Sequence, residues 1–464
     1  MSLKQNVFLS LVSVILLIII NCGNTQPQQA VVKINPAQKF QTITGWEATA
    51  QAGESYSPAF KNYQDKLFDR AVDDLGINRL RIEVRSGAEN PADYFADFVS
   101  KQITEEEWRA HYYEVVNDND DPFTIDSDKF HFSELDAVVE NVVLPVKKRL
   151  NRRGEALFLN LNFVDFNGWR GQSNIRLSEN PEEYAEFILA AFQHLQKKYD
   201  LVPDAVEVIL EPDSDTGWTG EKIGRAVVAT AKRLRSNNFE PSFIAPSTTN
   251  AANAPVFIDE IARVPEAMRF ITEFSYHRYC CAAPEIIERI ADRAARYGKQ
   301  TAMLEWIGAD YNTLHEDLKI GRNSAWQQYT LAFINQPDNG AQYYLINDKD
   351  ARDPKITLGS RTKLLRQYFR FIRPGAQRIG AETSNPNFSP LAFVNTNGSY
   401  VVVIKADAPG SVTVQNLPPG QYRASYTTAQ EFAVTAAPDA VLKTGESLTA
   451  TIPAVGVLTI CNKN

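Results

Sequence analysis

Between residues 41 and 372, short β-branched apolar runs alternate with amphipathic stretches of helical period. This alternation predicts parallel strands whose connecting helices pack on the sheet. Eight segments have the strand pattern. They are 42–48, 79–85, 156–165, 205–211, 242–247, 270–279, 301–307 and 341–347.

The amphipathic segments between these strands predict the helices. The clearest of them cover 181–199, 220–237, 255–263, 284–297 and 323–335. Eight strands with intervening helices are typical of a closed (β/α)₈ barrel, which carries its functional side chains at the carboxyl ends of the strands. We therefore predict an α/β chain whose TIM barrel covers residues 41–374.

After residue 374 the helical pattern stops. Short alternating strands separated by turns take over, and they predict an antiparallel β-sandwich over 375–464. A further strand, 31–40, lies ahead of the barrel and has no partner in it. We expect this N-terminal strand to join the C-terminal β-domain.

The first 22 residues have the pattern of a targeting segment. Lys4 precedes an apolar run over 7–20, and Cys22 follows it. The segment resembles a bacterial lipoprotein signal, although Asn21 stands where a small residue is usual. An ordinary cleaved signal and an uncleaved anchor are the alternatives. Each of these three kinds of segment would export the protein, and residues 23–30 would then form a polar tether.

Composition and charge narrow the class of partner. Of the 464 residues, 44% are hydrophobic and 22% are charged, which is typical of a globular protein. The net charge of −8 and the lack of a long basic cluster argue against nucleic acid. We expect a monomer that binds a neutral small molecule or polymer and meets a membrane only through a lipid anchor or signal segment.

Two isolated carboxylates are the most informative residues. Glu211 ends the fourth predicted strand, and Glu305 lies in the last residues of the seventh, each in an otherwise apolar run. Cleavage of a glycosidic bond needs one carboxyl group that protonates the leaving oxygen and a second that attacks or stabilises the anomeric carbon. The structural alternative is a rim glutamate paired with an arginine, such as Arg81 for Glu305.

The second predicted strand adds further charged candidates. Its alternation places Arg79, Arg81, Glu83 and Arg85 on one face, which we expect to be the polar barrel mouth. Glu47 stands at the mouth of the first strand. Glu47 and Glu83 either grip sugar hydroxyls or balance these arginines.

Aromatic residues near the strand ends are candidates for contact with sugar rings. Trp169 and Trp218 lie in polar loops, whereas Trp306 lies in a strand. Aromatic faces stack on apolar sugar faces, although a barrel also uses aromatic residues between its layers.

Metal and cofactor motifs are not evident in the sequence. The five histidines show no metal-ligand spacing, so we expect neither a metal nor a cofactor. The acidic run 118–121 lies in the long connection 86–133, where a solvated loop is favoured over calcium binding. For the adjacent Cys280 and Cys281 we expect two free thiols, with a vicinal disulfide as the alternative.

Several of these features together resemble the clan A retaining glycoside hydrolases. They are the order of elements, the Glu211-Pro pair, Glu305 on strand seven, the His277-Arg-Tyr279 run on strand six and the β-domain built from both chain ends. Within that clan, the run Phe40-Gln-Thr-Ile-Thr-Gly-Trp46 resembles the opening of glycoside hydrolase family 30.

The resemblance implies roles for individual residues. Glu211 would be the acid/base and Glu305 the nucleophile, while Arg81 and Tyr279 would hold the nucleophile and His277 would line the donor-sugar pocket. The clan usually has Asn before the acid/base, where this chain has Leu210.

The departure at Leu210 has three explanations. Another side chain, from Asn160, Asn162 or Asn250, replaces the missing amide; or the substrate lacks an equatorial hydroxyl at that position; or hydrolysis is lost. Our sequence-based expectation is an exported retaining β-glycosidase that acts by double displacement. The alternative is a non-catalytic carbohydrate-binding surface lipoprotein on the same fold.

Overall fold

The computed structural model describes residues 28–166, 173–214 and 216–463. The strands in these ranges form two sheets. In chain order they are β1 Gln28–Thr42, β2 Gly45–Thr49, β3 Arg79–Arg85, β4 Phe158–Val164, β5 Ala205–Glu207, β6 Ser242–Asn250, β7 Ile271–Cys280, β8 Gln300–Glu305, β9 Ala325–Ile334, β10 Gln342–Asn347, β11 Lys355–Leu358, β12 Gln377–Thr383, β13 Phe388–Val394, β14 Tyr400–Ala406, β15 Gly410–Gln415, β16 Gly420–Thr428, β17 Val434–Leu442, β18 Leu448–Ile452 and β19 Gly456–Asn462.

Strands β2 to β9 form a closed parallel barrel. Each pairs with the next along the chain, and β9 closes the ring by pairing with both β8 and β2. The register places Arg81 opposite Asn160 and Glu83 opposite Asn162. Because all eight strands are parallel, their carboxyl ends meet at one face. The predicted (β/α)₈ barrel is confirmed.

The eighth barrel strand is not the one we predicted. Residues 323–335, expected as a helix, contain strand β9, and the expected eighth strand forms β10 outside the ring. In β9 both faces are covered, so apolar and polar residues do not alternate cleanly, and the segment has a misleading helical period.

Helices cover the outside of the barrel. The helix over Phe60–Asp69 continues as a wider π-helical turn over Arg70–Leu75. A second such stretch, Val139–Val143, lies between the helices Ser133–Val138 and Leu144–Arg152. The α-helices are α1 Phe60–Asp69, α2 Tyr94–Val99, α3 Glu105–Ala110, α4 Ser133–Val138, α5 Leu144–Arg152, α6 Pro181–Tyr199, α7 Gly220–Ser236, α8 Ala254–Ile261, α9 Ala267–Phe270, α10 Pro284–Tyr297, α11 Tyr311–Lys319 and α12 Thr362–Phe369.

Nine strands form the second sheet, in the order β17-β16-β19-β14-β13-β12-β1-β15-β18, and it encloses a hydrophobic core of its own. Strand β1 pairs with β12 in antiparallel and with β15 in parallel orientation, so the N-terminal strand joins the C-terminal β-domain as expected. Residues 28–30, which we expected in the tether, already belong to β1.

The two faces of β3 show how the barrel divides its side chains. Leu80, Ile82 and Val84 pack into the large core under the helices. On the inner face Arg79 is fully buried and bridges Glu47 and Glu273, with nitrogen–oxygen distances of 2.6 and 3.0 Å. The barrel interior therefore carries paired charges below the mouth, as burial of charge requires.

Two expectations concern export and cysteine state. The predicted signal segment 1–22 lies outside the described residues, and none of the helices in the described ranges is long and apolar enough to cross a membrane. Cys280 and Cys281 at the end of β7 are disulfide-bonded to each other, so the expectation of two free thiols was wrong.

Candidate active site

Glu305 is the last residue of β8 and is held from two sides. Its Oε2 lies 2.5 Å from Nη2 of Arg81 on β3, and its Oε1 accepts a hydrogen bond of 2.7 Å from the Tyr279 hydroxyl on β7. The residue is only 6% exposed. Both carboxylate oxygens thus have fixed partners, and charge-assisted contacts of this kind are strong.

Glu211 follows β5 after an irregular continuation of the strand. The regular ladder ends at Glu207 rather than at the predicted 211, but the Glu211 N–H still donates to the Ser247 carbonyl over 3.1 Å. The backbone φ of Glu211 is +51°, a left-handed conformation that costs a non-glycine residue about 1–3 kcal/mol. Such conformations cluster at functional sites, where the surrounding structure enforces them.

His277 contacts Glu211 and lies close to Glu305. Its Nδ1 lies 2.9 Å from Oε1 of Glu211, and the side chain is fully buried. Burial alone would lower the pKa of His277, but the hydrogen bond to Glu211 and the charge of Glu305 outweigh it, so the pKa lies above its ordinary value. One ligand atom from each of the three residues lies within 4.8 Å of the others.

The same three residues are the compact group of metal-ligand types found among the described residues. A cation among them would face the guanidinium of Arg81, which already neutralises Glu305 at 2.5 Å. Like charges at this range repel strongly in a buried site. The arrangement therefore fits acid–base chemistry better than metal binding.

The partners of Glu305 keep their protons. Burial, followed by the charge of Glu305, raises the pKa of the Tyr279 phenol, so this hydroxyl remains a donor. Although burial opposes the charge of Arg81, the carboxylates of Glu305, Glu207 and Glu83 raise its pKa well above the ordinary value. The positive charge beside Glu305 is thus permanent at physiological pH.

Tyr329 on β9 is a site residue that the sequence did not reveal. Its ring centroid lies 5.8 Å from Cζ of Arg81, and burial followed by the charges of Glu83 and Glu305 raises the pKa of its phenol. We missed it because its segment was predicted to be a helix. Side chains alternate between the two faces of a strand, so the face on which Tyr329 lies follows only once β9 is identified as a strand.

A cavity of about 510 Å³ is lined by Arg81, the residue that holds Glu305, and by neighbouring residues of β3; Glu211 and Glu305 themselves do not line it. Arg81, Glu83 and Arg85 line its β3 side, while Tyr56 and Trp108 contribute aromatic walls. Glu83 contacts the guanidinium of Arg81 at 3.4 Å and that of Arg85 at 3.8 Å. Glu83 thus balances arginines and also faces a space large enough for a sugar ring.

Glu47 does not reach the cavity surface. It is fully buried, and Nε of Arg79 and Nδ2 of Asn160 donate to its carboxylate over 2.6 and 3.2 Å. Of the two roles we considered for Glu47, the structure favours charge balance inside the barrel. Asn160 is bound in the same network, since its amide also donates to Glu207 over 2.8 Å.

Asn162 and Asn250 differ in what their amides do. Leu210, which precedes Glu211, is 7% exposed and brings no polar group to the site. Asn250 caps a short helical turn by accepting from the Ala252 N–H. Asn162 is fully buried on β4, and neither of its amide atoms has a hydrogen-bond partner among the described residues. Of the three candidate asparagines, Asn162 is the one whose two amide atoms both lack a partner, whereas in Asn160 only Oδ1 does.

The three predicted tryptophans have different positions. Trp218 is 4% exposed and packs edge-on against Tyr184, with ring centroids 5.4 Å apart, so it is a core residue here. Trp306 directly follows Glu305 and is half-buried, with Cζ of Arg278 5.9 Å from its ring. Trp169 lies outside the described residues.

Comparisons with known proteins concern the fold of the chain and its β-domain. Residues 375–460 match the model of the glycosyl hydrolase family 30 beta sandwich domain. Among curated protein sequences, no match is found. Many solved structures match this chain.

Three of these structures illustrate the similarity. The catalytic domain of a GH30 xylanase C from Talaromyces cellulolyticus is 14% identical, has a TM-score of 0.67, and aligns over 94% of this chain and 100% of its own. A GH30 endoxylanase from Clostridium papyrosolvens C71 is 18% identical, with a TM-score of 0.64 and coverages of 93% and 100%. A conserved exported protein from Bacteroides fragilis is 14% identical, with a TM-score of 0.65 and coverages of 93% and 100%. The chain is thus similar to glycoside hydrolase family 30 in its β-domain and in its barrel-plus-sandwich fold.

Proposed function

We propose that this protein is an exported retaining β-glycosidase. The observation that carries the proposal is the approach of carboxylate oxygens of Glu211 and Glu305 to within 4.8 Å at the carboxyl ends of two barrel strands. Retaining enzymes hold their two carboxyl groups about 5–5.5 Å apart, whereas inverting enzymes leave room for a water at about 6.5–9.5 Å.

In the proposed first step, Glu305 attacks the anomeric carbon while Glu211 protonates the departing glycosidic oxygen. Arg81 and Tyr279 support this role because they hold both oxygens of Glu305 in one orientation. The carboxylate forms an ester with the sugar as the glycosidic C–O bond breaks. The leaving alcohol departs with the proton of Glu211.

In the proposed second step, Glu211 acts as a base. It removes a proton from water, and the water oxygen attacks the anomeric carbon of the glycosyl ester and releases Glu305. His277 supports this exchange because it touches Glu211 with Nδ1 and is buried beside both carboxylates. Two inversions at one carbon return the original stereochemistry.

The site favours catalysis over the non-catalytic carbohydrate-binding alternative. A binding protein gains nothing from a strained φ of +51° at Glu211 or from a glutamate clamped by Arg81 and Tyr279. Leu210 remains the feature that argues for lost chemistry. We propose that the unpartnered Asn162 lies near enough to the sugar site to replace part of the missing amide contact.

A substrate screen with covalent trapping tests the proposal. The chain is incubated with aryl β-glycosides and with β-linked polysaccharides, beginning with xylan because two similar structures are named xylanases. A 2-fluoro glycoside of the accepted sugar should add one glycosyl unit, which peptide mass spectrometry should locate on Glu305. Glycan binding without release of reducing sugar, unchanged in Glu211→Gln, would instead support the carbohydrate-binding alternative.

A further inference from the structure

The bonded cysteine pair directly follows a residue of the candidate active site. Cys280 is the last residue of β7, and its disulfide partner Cys281 lies between that strand and helix α10. Tyr279, whose hydroxyl donates to Glu305 over 2.7 Å, comes immediately before the pair. Both cysteines are exposed, and the proposed reaction gives their sulfur atoms no role.

Arg278 fixes the chain on both sides of residues 279–281. Its Nη1 donates to Asp317 over 2.7 Å, and its Nη2 donates to the backbone carbonyl of Ala282 over 3.0 Å. Asp317 is fully buried on helix α11, so these contacts tie the end of β7 and the following loop to one helix. The three residues between the two fixed points include Tyr279 and both cysteines.

Tyr279 depends on its backbone for the direction of its phenol. The residue is 38% exposed, and its ring meets the ring of His277 edge-on with 6.2 Å between centroids. The hydrogen bond to Glu305 must outweigh the entropy that is lost when this partly exposed ring is ordered. Less entropy is lost on forming that bond if the backbone at Tyr279 is already fixed.

The disulfide restricts the backbone immediately after Tyr279. A bond between the side chains of neighbouring residues closes a small ring that includes the peptide bond joining them, and this ring limits the backbone dihedrals of both residues. Cys281 has a φ of +58°, in the left-handed region that L residues other than Asn and Asp rarely adopt. The covalent link to Cys280 helps to hold Cys281 in this conformation, where the chain turns from β7 towards α10.

We propose that the Cys280–Cys281 disulfide is a positioning element for Tyr279 and, through it, for the carboxylate of Glu305, a role that rests on the function proposed above. With the bond intact, the chain beyond Tyr279 keeps one path, and the phenol stays on Oε1 of Glu305. With the bond reduced, residues 280 and 281 gain backbone freedom, and the phenol is held less firmly. Activity should therefore depend on the redox state of this pair.

Reduction and reoxidation of the pair are thiol–disulfide exchange reactions. Dithiothreitol attacks one of the exposed sulfurs, the S–S bond breaks, and both cysteines end as thiols while the reagent becomes a cyclic disulfide. Oxidised glutathione reverses the reaction and is itself converted to two molecules of reduced glutathione. The oxidising surroundings that the proposed export supplies would keep the pair bonded.

Fluorine NMR tests the position of Tyr279 without using activity. The whole chain is produced with 3-fluorotyrosine, and the resonance of Tyr279 is the one that is missing from Tyr279→Phe. We expect this resonance to shift when dithiothreitol is added and to return with oxidised glutathione. An unchanged resonance overturns the proposal, as does alkylation of Cys280 and Cys281 by iodoacetamide before any reduction, detected by peptide mass spectrometry.

Steady-state kinetics on the best aryl glycoside test the link to Glu305. We expect reduction to lower kcat/KM by about tenfold, which is within the effect of Tyr279→Phe, and to leave the dependence on leaving group unchanged. The double variant Cys280→Ser, Cys281→Ser should show the same loss without dithiothreitol and no further loss with it. In Tyr279→Phe, reduction should change kcat/KM by less than about twofold, because the phenol is already absent.

Cys461→Ser is the matched control, since it removes a buried free thiol of the β-domain and leaves the pair intact. It should respond to dithiothreitol as the wild type does. Equal losses on reduction in the wild type and in Tyr279→Phe would overturn the action through Tyr279, as would full activity of the reduced wild type. If neither redox form cleaves any glycoside while the fluorine resonance still moves, the proposed function fails and the positioning of Tyr279 by the disulfide stands.

Discussion

Glu305 and Glu211 lie close together but have different surroundings. Glu305 has a guanidinium on one oxygen and a phenol on the other, and its side chain is 8% exposed. Glu211 has one side-chain partner, His277, on a strained backbone, and its side chain is 15% exposed. Both oxygens of Glu305 are therefore held by donors, whereas Glu211 keeps unused hydrogen-bonding capacity and access to solvent.

This difference separates the two proposed roles without reference to any other protein. A nucleophile must be ionised and aimed, which two strong donors achieve. An acid/base must exchange a proton with substrate and water, which requires an oxygen that is not permanently occupied. The contrast predicts that the two glutamates respond differently to substitution.

The largest expected effect is that of Glu305→Gln. We expect kcat to fall by about 10³- to 10⁶-fold on every substrate, because no side chain remains that forms the glycosyl ester. Steady-state rates on the best aryl glycoside provide the measurement. Glu288→Gln, at an exposed position on α10, serves as the control for loss of a negative charge. Activity of Glu305→Gln near the wild-type level would exclude the nucleophile role.

The effect of Glu211→Gln should depend on the leaving group of the substrate, unlike that of Glu305→Gln. Loss of a general acid costs about 10²- to 10⁴-fold on substrates with poor leaving groups. The first step should be much less affected for aryl glycosides whose leaving group needs no proton, and azide should accelerate the second step by replacing the activated water. Equal loss across leaving groups would remove the distinction between the two glutamates.

Tyr279→Phe sharpens the comparison because it removes only the phenol that holds Glu305. A hydrogen bond to a charged group contributes about 1.5–3 kcal/mol, so kcat/KM should fall by about 10- to 150-fold. The dependence on leaving group should stay as in the wild type, since Glu211 is untouched. A change in that dependence would show that Tyr279 acts on the acid instead.

The smallest expected effect concerns stability and His277. Its pKa in the folded protein lies above the value of about 6.5 typical of an unfolded chain. The resulting stabilisation is fully present below pH 6.5 and is lost as the pH rises through the folded pKa. The free energy of unfolding of the wild type, measured with urea relative to His277→Asn, should therefore decrease from pH 6 to pH 9. A difference in unfolding free energy between the two proteins that stays constant from pH 6 to pH 9 would contradict this prediction.

Much of the fold was predictable because period and parity are local properties. The alternation in 79–85 placed Arg81 and Glu83 on the inner face of β3, and the structure has them there. Strand count placed Glu211 and Glu305 at one end of the barrel. The error at 323–335 arose where a strand is covered on both faces, because period alone does not separate such a strand from a helix. For the same reason, the sequence did not identify Tyr329 as a site residue.

The sequence by itself determined which carboxylates stand alone at the ends of apolar runs and which fold brings such ends together, since both follow from side-chain period along a local segment. Only the tertiary structure decided what surrounds each carboxylate. Glu47 is paired deep inside the barrel, and Glu83 faces the cavity. These outcomes depend on contacts between residues tens to hundreds of positions apart, and pairing and burial at that range are not encoded in any local pattern.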